Sequence, residues 1–282
     1  MGGTVMIAVR RQRDVLRVAG PDTRTYLQGQ LSQDVDALDV GTAADTFVLQ
    51  PTGKVEAWMR ISRMAQDVFI LDMDAGWGAA VLARLTRFLL RTDCTVEPVD
   101  WQLVTVLDAE MGSLDVPPGG LALPVAWPGL RAVDLLGPLV DLPEGLTDGD
   151  DSMWEQRRIA AGIPMMGAEM DETTIPGATG VVDRSASFTK GCYTGQELVA
   201  RVDSRSAGTP TRIVRAVGQG SLPLTGAEIT LDGVAAGRLT SVATRPGSGP
   251  DDGFVALAEV KRAIVVPVMV DADGTPVSLL AD

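Results

Sequence analysis

Residues 187–201 read SFTKGCYTGQELVAR, and the interpretation of the whole chain turns on them. One of the two cysteines, Cys192, stands two residues after Lys190 and is flanked by Gly191 and, a little further on, Gly195. Thr194 followed three residues later by Glu197 forms a T-x-x-E capping box, which predicts a helix starting directly after the cysteine. A thiol placed there lies near free backbone N–H groups at the positive end of the helix dipole. With Lys190 adding a second positive charge, the pattern favours the thiolate. The two glycines permit unusual backbone angles and close approach of a ligand. Against this stands the common behaviour of a free cysteine as a small buried hydrophobe. Local physics leaves a working and a buried thiol equally open.

Composition narrows the chemistry around that cysteine. The chain has 282 residues and no histidine, so Ser/His, Cys/His and His-ligated metal mechanisms are closed to it acting alone. The other cysteine, Cys94 in LLRTDCTVEP, is far away with no C-x-x-C spacing, which excludes zinc fingers, predicts no metal site and fits a reducing cytosol. Cys94 reads as packing. A net charge of −13 argues against broad nucleic-acid or anionic-membrane binding. The opening MGGTVMIAVRRQRDVLRV is broken by arginines and predicts no secretory signal, and IVVPVMV is too short to span a bilayer. A cytoplasmic location is expected.

Working outward, the first part of the chain alternates short strands and helices. β-Branched and aromatic alternation predicts strands at 4–9, 14–19, 45–50, 54–62, 67–72 and 102–107. One helix is expected after Asp22 with Tyr26, Leu27 and Leu31 on a shared face, and another near 76–91 carrying Trp77, Val81, Leu82, Leu85, Phe88 and Leu89. Residues 109–150 form a Gly/Pro/Asp-rich connection with short strands near 121–125 and 131–136. Ser152 with Glu155 caps a helix over about 153–161, which Gly162 and Pro164 end. After residue 206, regular short strands separated by turns predict a small antiparallel barrel or sandwich. The expected division is 1–205 and 206–282.

KGCYTGQELVAR resembles the signature of the YgfZ family of folate-binding proteins, relatives of the glycine cleavage system aminomethyltransferase (T-protein). VAGPDTRTYLQGQLSQDVDAL, PTGKVEAWMRI and RRIAAGIPMMGAEMDETTIP resemble other family segments in the expected order, covering most of 14–205. The resemblance implies an α+β fold: ferredoxin-like α/β subdomains around a central folate site, then a C-terminal antiparallel β-barrel. It implies tetrahydrofolate, or a one-carbon derivative, as cofactor. It also implies a role in assembly or repair of iron–sulfur proteins, with iron–sulfur clients or assembly proteins as partners. Carried over by position, Cys192 and Lys190 take the working roles, and Gly191, Tyr193, Gly195, Gln196 and Glu197 the binding ones. Gln28 and Gln30 in YLQGQ are further candidates to face the site, and Arg184, Arg201 and Arg205 a basic rim for folate's anionic tail. Lys54 is a second candidate cation.

Two departures separate the chain from the T-protein itself. The T-protein strand ends in an acidic pair that serves one-carbon transfer, and the matching positions here are Ala57 and Trp58. Glu56 is next to them, but adjacent strand residues point to opposite faces. A T-protein carboxylate that holds the pterin in R-L-E-A-G is Ala160 here, which leaves Glu169 and Asp171 as substitutes, though both read more readily as solvated loop carboxylates. Three functions follow: an iron–sulfur accessory protein using the thiolate of Cys192, a folate-dependent one-carbon transferase on an unknown acceptor, or a folate-binding module with an inert cysteine.

Overall fold

A computed structural model describes residues 5–142, 144–203, 208–249 and 252–281, with the backbone path alone for 201–203. The alternating stretches form β1 (Ile7–Arg11), β2 (Arg13–Ala19), β3 (Ala43–Leu49), β4 (Val55–Ala65), β5 (Val68–Asp74), β6 (Thr95–Pro98), β7 (Gln102–Leu107), β8 (Leu121–Pro124), β9 (Ala132–Gly137) and β10 (Thr147–Gly149). Two helices interrupt them, α1 (Thr23–Gln30) and α2 (Gly78–Thr86). The later helices are α3 (Asp151–Ala161), α4 (Val182–Ser185) and α5 (Gln196–Asp203), followed by strands β11 (Thr211–Gly218), β12 (Glu228–Leu231), β13 (Val234–Thr244), β14 (Phe254–Lys261), β15 (Val268–Ala272) and β16 (Thr275–Leu279). Two compact units result. One holds the chain up to Asp151 together with Val182–Ala200; the other holds Ser152–Val181 and the chain from Arg201 onward.

The first unit contains two five-stranded sheets, ordered β3-β4-β5-β2-β6 and β10-β1-β7-β9-β8, antiparallel except where β1 meets β10. β5 shows how sequence sets their packing. Its residues alternate between two buried faces: Phe69, Leu71 and Met73 join Tyr26 and Leu27 of α1 and Val81 and Leu85 of α2, while Ile70 packs with Val15 of the neighbouring β2 and with Leu103 and Leu136 of the other sheet. Asp72 shares the face of Ile70 and is wholly buried. There it accepts from Arg13 at 3.0 Å and Arg60 at 2.8 Å. Arg60 also reaches Asp134 of β9 at 2.7 Å, and the Thr105 hydroxyl donates to the same carboxylate at 2.5 Å. Burial alone would raise the pKa of Asp72, but Arg60 and Arg13 overcome it and hold the carboxyl below its ordinary range.

In the second unit β11-β14-β13-β12-β15-β16 close into an antiparallel barrel, which removes open sheet edges. Val214, Ile229, Leu239, Phe254, Val260 and Leu279 are among the residues that fill it. α3 begins two residues before the expected start and ends where Gly162 and Pro164 predicted, with the Ile163 N–H donating to the Arg158 carbonyl at 2.8 Å. The predicted α+β class with a C-terminal barrel is what the chain adopts.

Candidate functional site

The cysteine segment is fixed from its N-terminal side by two buried serines. Ser32 and Ser185 are both fully shielded from solvent. The Ser32 hydroxyl donates to the Ser185 carbonyl at 2.5 Å and accepts the Phe47 N–H of β3 at 2.8 Å. The indole N–H of Trp58 donates to the Ser185 hydroxyl at 2.9 Å, and the Ser187 N–H to the Ser32 carbonyl at 2.9 Å. α4 and the start of the loop are thereby held against β3 and β4.

Lys190 makes the next attachment, and it differs from the expected one. Its ammonium donates to the carbonyls of Gln28 (2.6 Å), Leu31 (2.8 Å) and Gln33 (2.8 Å), at and just after the C-terminal end of α1. Those bonds account for all three ammonium hydrogens, so Lys190 is directed to backbone carbonyls and not to the thiol. Burial lowers its pKa to about 8, with Asp34 and Asp36 acting in the opposite direction. Its Nζ also lies 5.1 Å from the centre of the Tyr193 ring. Gln28 shapes the acceptor: its amide donates to Asp34 Oδ1 at 2.9 Å and its oxygen accepts the Val35 N–H at 2.7 Å. Gln30 accepts instead from Arg84 of α2 at 3.1 Å.

On the C-terminal side two glycines meet. Gly195 (φ +81°) is seated on the β3–β4 turn, where an added Cβ would lie 2.6 Å from the Gln50 carbonyl oxygen and 2.8 Å from Leu49 Cβ. At Gly53 of that turn (φ +82°) an added Cβ would come closer still to Leu198 Cβ. Because Gly195 is left-handed, the helix begins at Gln196, one residue later than a Thr194 cap predicts. The reach-back bond is displaced the other way, one residue earlier than the box predicts, the Gln196 side chain accepting the Tyr193 N–H at 3.1 Å. Between these attachments Cys192 is exposed, as are Gly191 and Phe188, while Tyr193 is buried and burial raises its pKa. Glu197 is exposed. The side chain of Arg201, and Arg205 altogether, lie outside the described residues.

Several other candidates have structural partners. Glu169, read as a solvated carboxylate, is buried in the second unit, where it accepts from Ser241 (2.6 Å), the Met165 N–H (3.0 Å) and Arg158 (3.5 Å). The buried Arg158 of the RRIAAG stretch supplies the counter-charge, and Ser241 and the Met165 N–H supply the shorter hydrogen bonds. Asp171 is exposed and folded into its own turn, its pKa lowered by hydrogen bonds from Thr173 and Thr174. Arg184 pairs with Asp45 at 2.6 Å and lies 3.8 Å from the centre of the Trp127 ring. Trp127 meets Trp58 edge-on with centroids 6.4 Å apart. Sequence reasoning missed this aromatic pair, since only Trp58 drew attention. Lys54 is half-buried at the end of the turn that receives Gly195. Cys94 is half-buried against the α1/α2 core and burial raises its pKa.

At the positions of the T-protein acidic pair, Ala57 is fully buried in the core and Trp58 is bonded to Ser185. Glu56 lies within electrostatic reach of Arg84. Ala160, in place of the pterin-holding carboxylate, packs beside Ile159, Val255 and Leu257. With Glu169 already occupied, these residues do not reproduce a carboxylate anchor for a pterin. Among the described residues no group of three Cys, Asp or Glu side chains is arranged to hold a metal ion.

No protein-family model matches the chain. An uncharacterized protein of Haemophilus influenzae is 30% identical over 198 residues, covering 70% of this chain and 68% of that protein. The tRNA-modifying protein YgfZ of Pectobacterium carotovorum is 29% identical over 217 residues, covering 67% of this chain and 64% of that protein. The mitochondrial iron-sulfur cluster assembly factor IBA57 homolog of Mycosarcoma maydis is 28% identical over 211 residues, 67% of this chain and 51% of its own length. The chain thus spans less than two thirds of these two named relatives. The crystal structure of glycine cleavage system aminomethyltransferase T from Bartonella henselae matches with a TM-score of 0.80 at 17% identity, covering 98% of this chain and 85% of that one. That likeness is one of fold.

Proposed function

The chain belongs to the YgfZ family, and from that premise we propose that it is a tetrahydrofolate-binding accessory protein for assembly or repair of iron–sulfur proteins, with the thiolate of Cys192 as its working group. The observation that carries the reading is the exposure of Cys192 on a loop attached on both sides to buried structure. A thiol merely filling a core would be enclosed. The name of the Mycosarcoma relative supports the iron–sulfur part.

One-carbon transfer is disfavoured by the same geometry. Ala57 and Trp58 offer no acid or base, and Trp58 is engaged in holding Ser185. Folate enters the proposal through the family, and no step is routed through it because the carboxylate anchor is missing at Ala160. The cluster is cargo: one thiolate supplies one of the ligands it needs, so the others come from a client, a second copy or a small thiol. The name of the Pectobacterium relative raises direct tRNA binding as a second route, which a net charge of −13 makes unfavourable. Among the described residues no helix is long and apolar enough to cross a membrane.

The test exposes an iron–sulfur enzyme to oxygen with the purified chain and tetrahydrofolate present. The wild-type chain is expected to slow the loss of activity and Cys192→Ala to give no protection. Equal protection by the two contradicts the reading. Calorimetric titration with tetrahydrofolate tests the cofactor separately, and no binding heat or competition would remove it from the proposal.

A further inference from the structure

Resting on the reading of Cys192 as the working thiol, we propose that Lys190 is a positioning residue: its ammonium plugs a cup of backbone carbonyls at the end of α1 and so holds the loop that presents the thiol. The helix end explains why a cation belongs there, because the last carbonyls of an α-helix lack intrahelical partners and carry the negative end of its dipole. Gln28, Leu31 and Gln33 contribute one carbonyl each, at 2.6, 2.8 and 2.8 Å. Gln28 also fixes the cup's shape by closing the following turn onto Asp34 and Val35. The charged groups facing the ammonium are Asp34 and Asp36 from that turn, and Tyr193 presents its ring from the loop itself.

This arrangement assigns Lys190 to the protein and not to what the thiol meets. An activating lysine would direct a hydrogen to the sulfur, whereas here all three go to carbonyls at sequence separations of 157 to 162 residues. The cup and plug tie the cysteine loop to α1, just as Ser32 and Ser185 tie its beginning to β3.

Hydrogen exchange of the full chain, read by mass spectrometry over residues 187–195, tests the proposal. Lys190→Ala is expected to speed exchange there by about tenfold or more, the factor that one lost charge-assisted hydrogen bond supplies. Protection of β4 in the same sample stays near wild type. Adding n-propylammonium, which refills the cup with a cation, is expected to restore loop protection, and n-propanol is not. Gln28→Leu, which keeps the lysine but opens the cup, should also loosen the loop, and this variant decides the matter if Lys190→Ala fails to fold. Wild-type exchange in both variants, or a loosened Lys190→Ala loop indifferent to propylammonium, overturns the proposal. A Cys192→Ala chain that still protects iron–sulfur enzymes would defeat the functional reading while leaving this result standing.

Discussion

At Gly195 the demands on one residue are concrete: a left-handed backbone, and no room for a Cβ beside Gln50 and Leu49. A non-glycine residue in that conformation costs about 1–2 kcal/mol before any clash. Gly195→Ala should therefore speed hydrogen exchange over 186–195 by about tenfold or more. Gly191→Ala, where an added Cβ meets nothing within 4 Å, should leave exchange unchanged. The two thiols provide a second contrast. Cys192 is exposed, whereas Cys94 is half-buried with its pKa raised by burial. Near neutral pH, iodoacetamide should modify Cys192 about tenfold faster than Cys94, as followed by peptide mass spectrometry. That Gly195 takes a backbone angle closed to other residues was legible in the residues themselves, whereas local physics had left the burial of the thiol open. The role of Lys190 was not legible, because its acceptors are backbone carbonyls, which leave no mark in a sequence.

Among the elements, β5 repeats the lesson at larger size. Its apolar alternation was legible, and β2, β3, β4, β7 and β9 likewise formed close to their expected places. The partners of Asp72 were not legible, since Arg13, Arg60 and Asp134 come together only when the two sheets pack. Replacing Asp72 by Asn leaves two largely buried arginines, Arg13 and Arg60, short of a counter-charge and should cost the first unit about 3–5 kcal/mol. Hydrogen exchange of β4 and β5 measures it. The pH dependence has a definite sign. The folded pKa of Asp72 lies below the ordinary value of about 3.9, so the unfolded chain binds the proton more tightly. Its stabilisation is present above that value and is lost as pH falls through the folded pKa. In Asp72→Asn this acid-dependent loss should be smaller than in wild type. The shifted start of α5 has a similar cause: the T-x-x-E pattern reads correctly as a helix entrance, but contact of Gly195 with the β3–β4 turn moves its first residue.

For the molecule as a whole, a barrel or sandwich was legible from evenly spaced turns, and the choice of a barrel, like the rest of the architecture, came from the resemblance more than from periodicity. A fold shared with an aminomethyltransferase at 17% identity does not bring its chemistry with it. Ala57 and Trp58 stand where the resemblance expects the T-protein's acidic pair, and the exposed cysteine loop is attached on both sides, so the central claim rests on Cys192. Its most direct test is complementation of cells lacking the protein, with iron–sulfur enzyme activity as the readout and wild type, Cys192→Ala and Cys94→Ala chains expressed at equal levels. The account predicts that Cys94→Ala restores activity as wild type does and that Cys192→Ala leaves it at the level of the deletion. Full restoration by Cys192→Ala would contradict it.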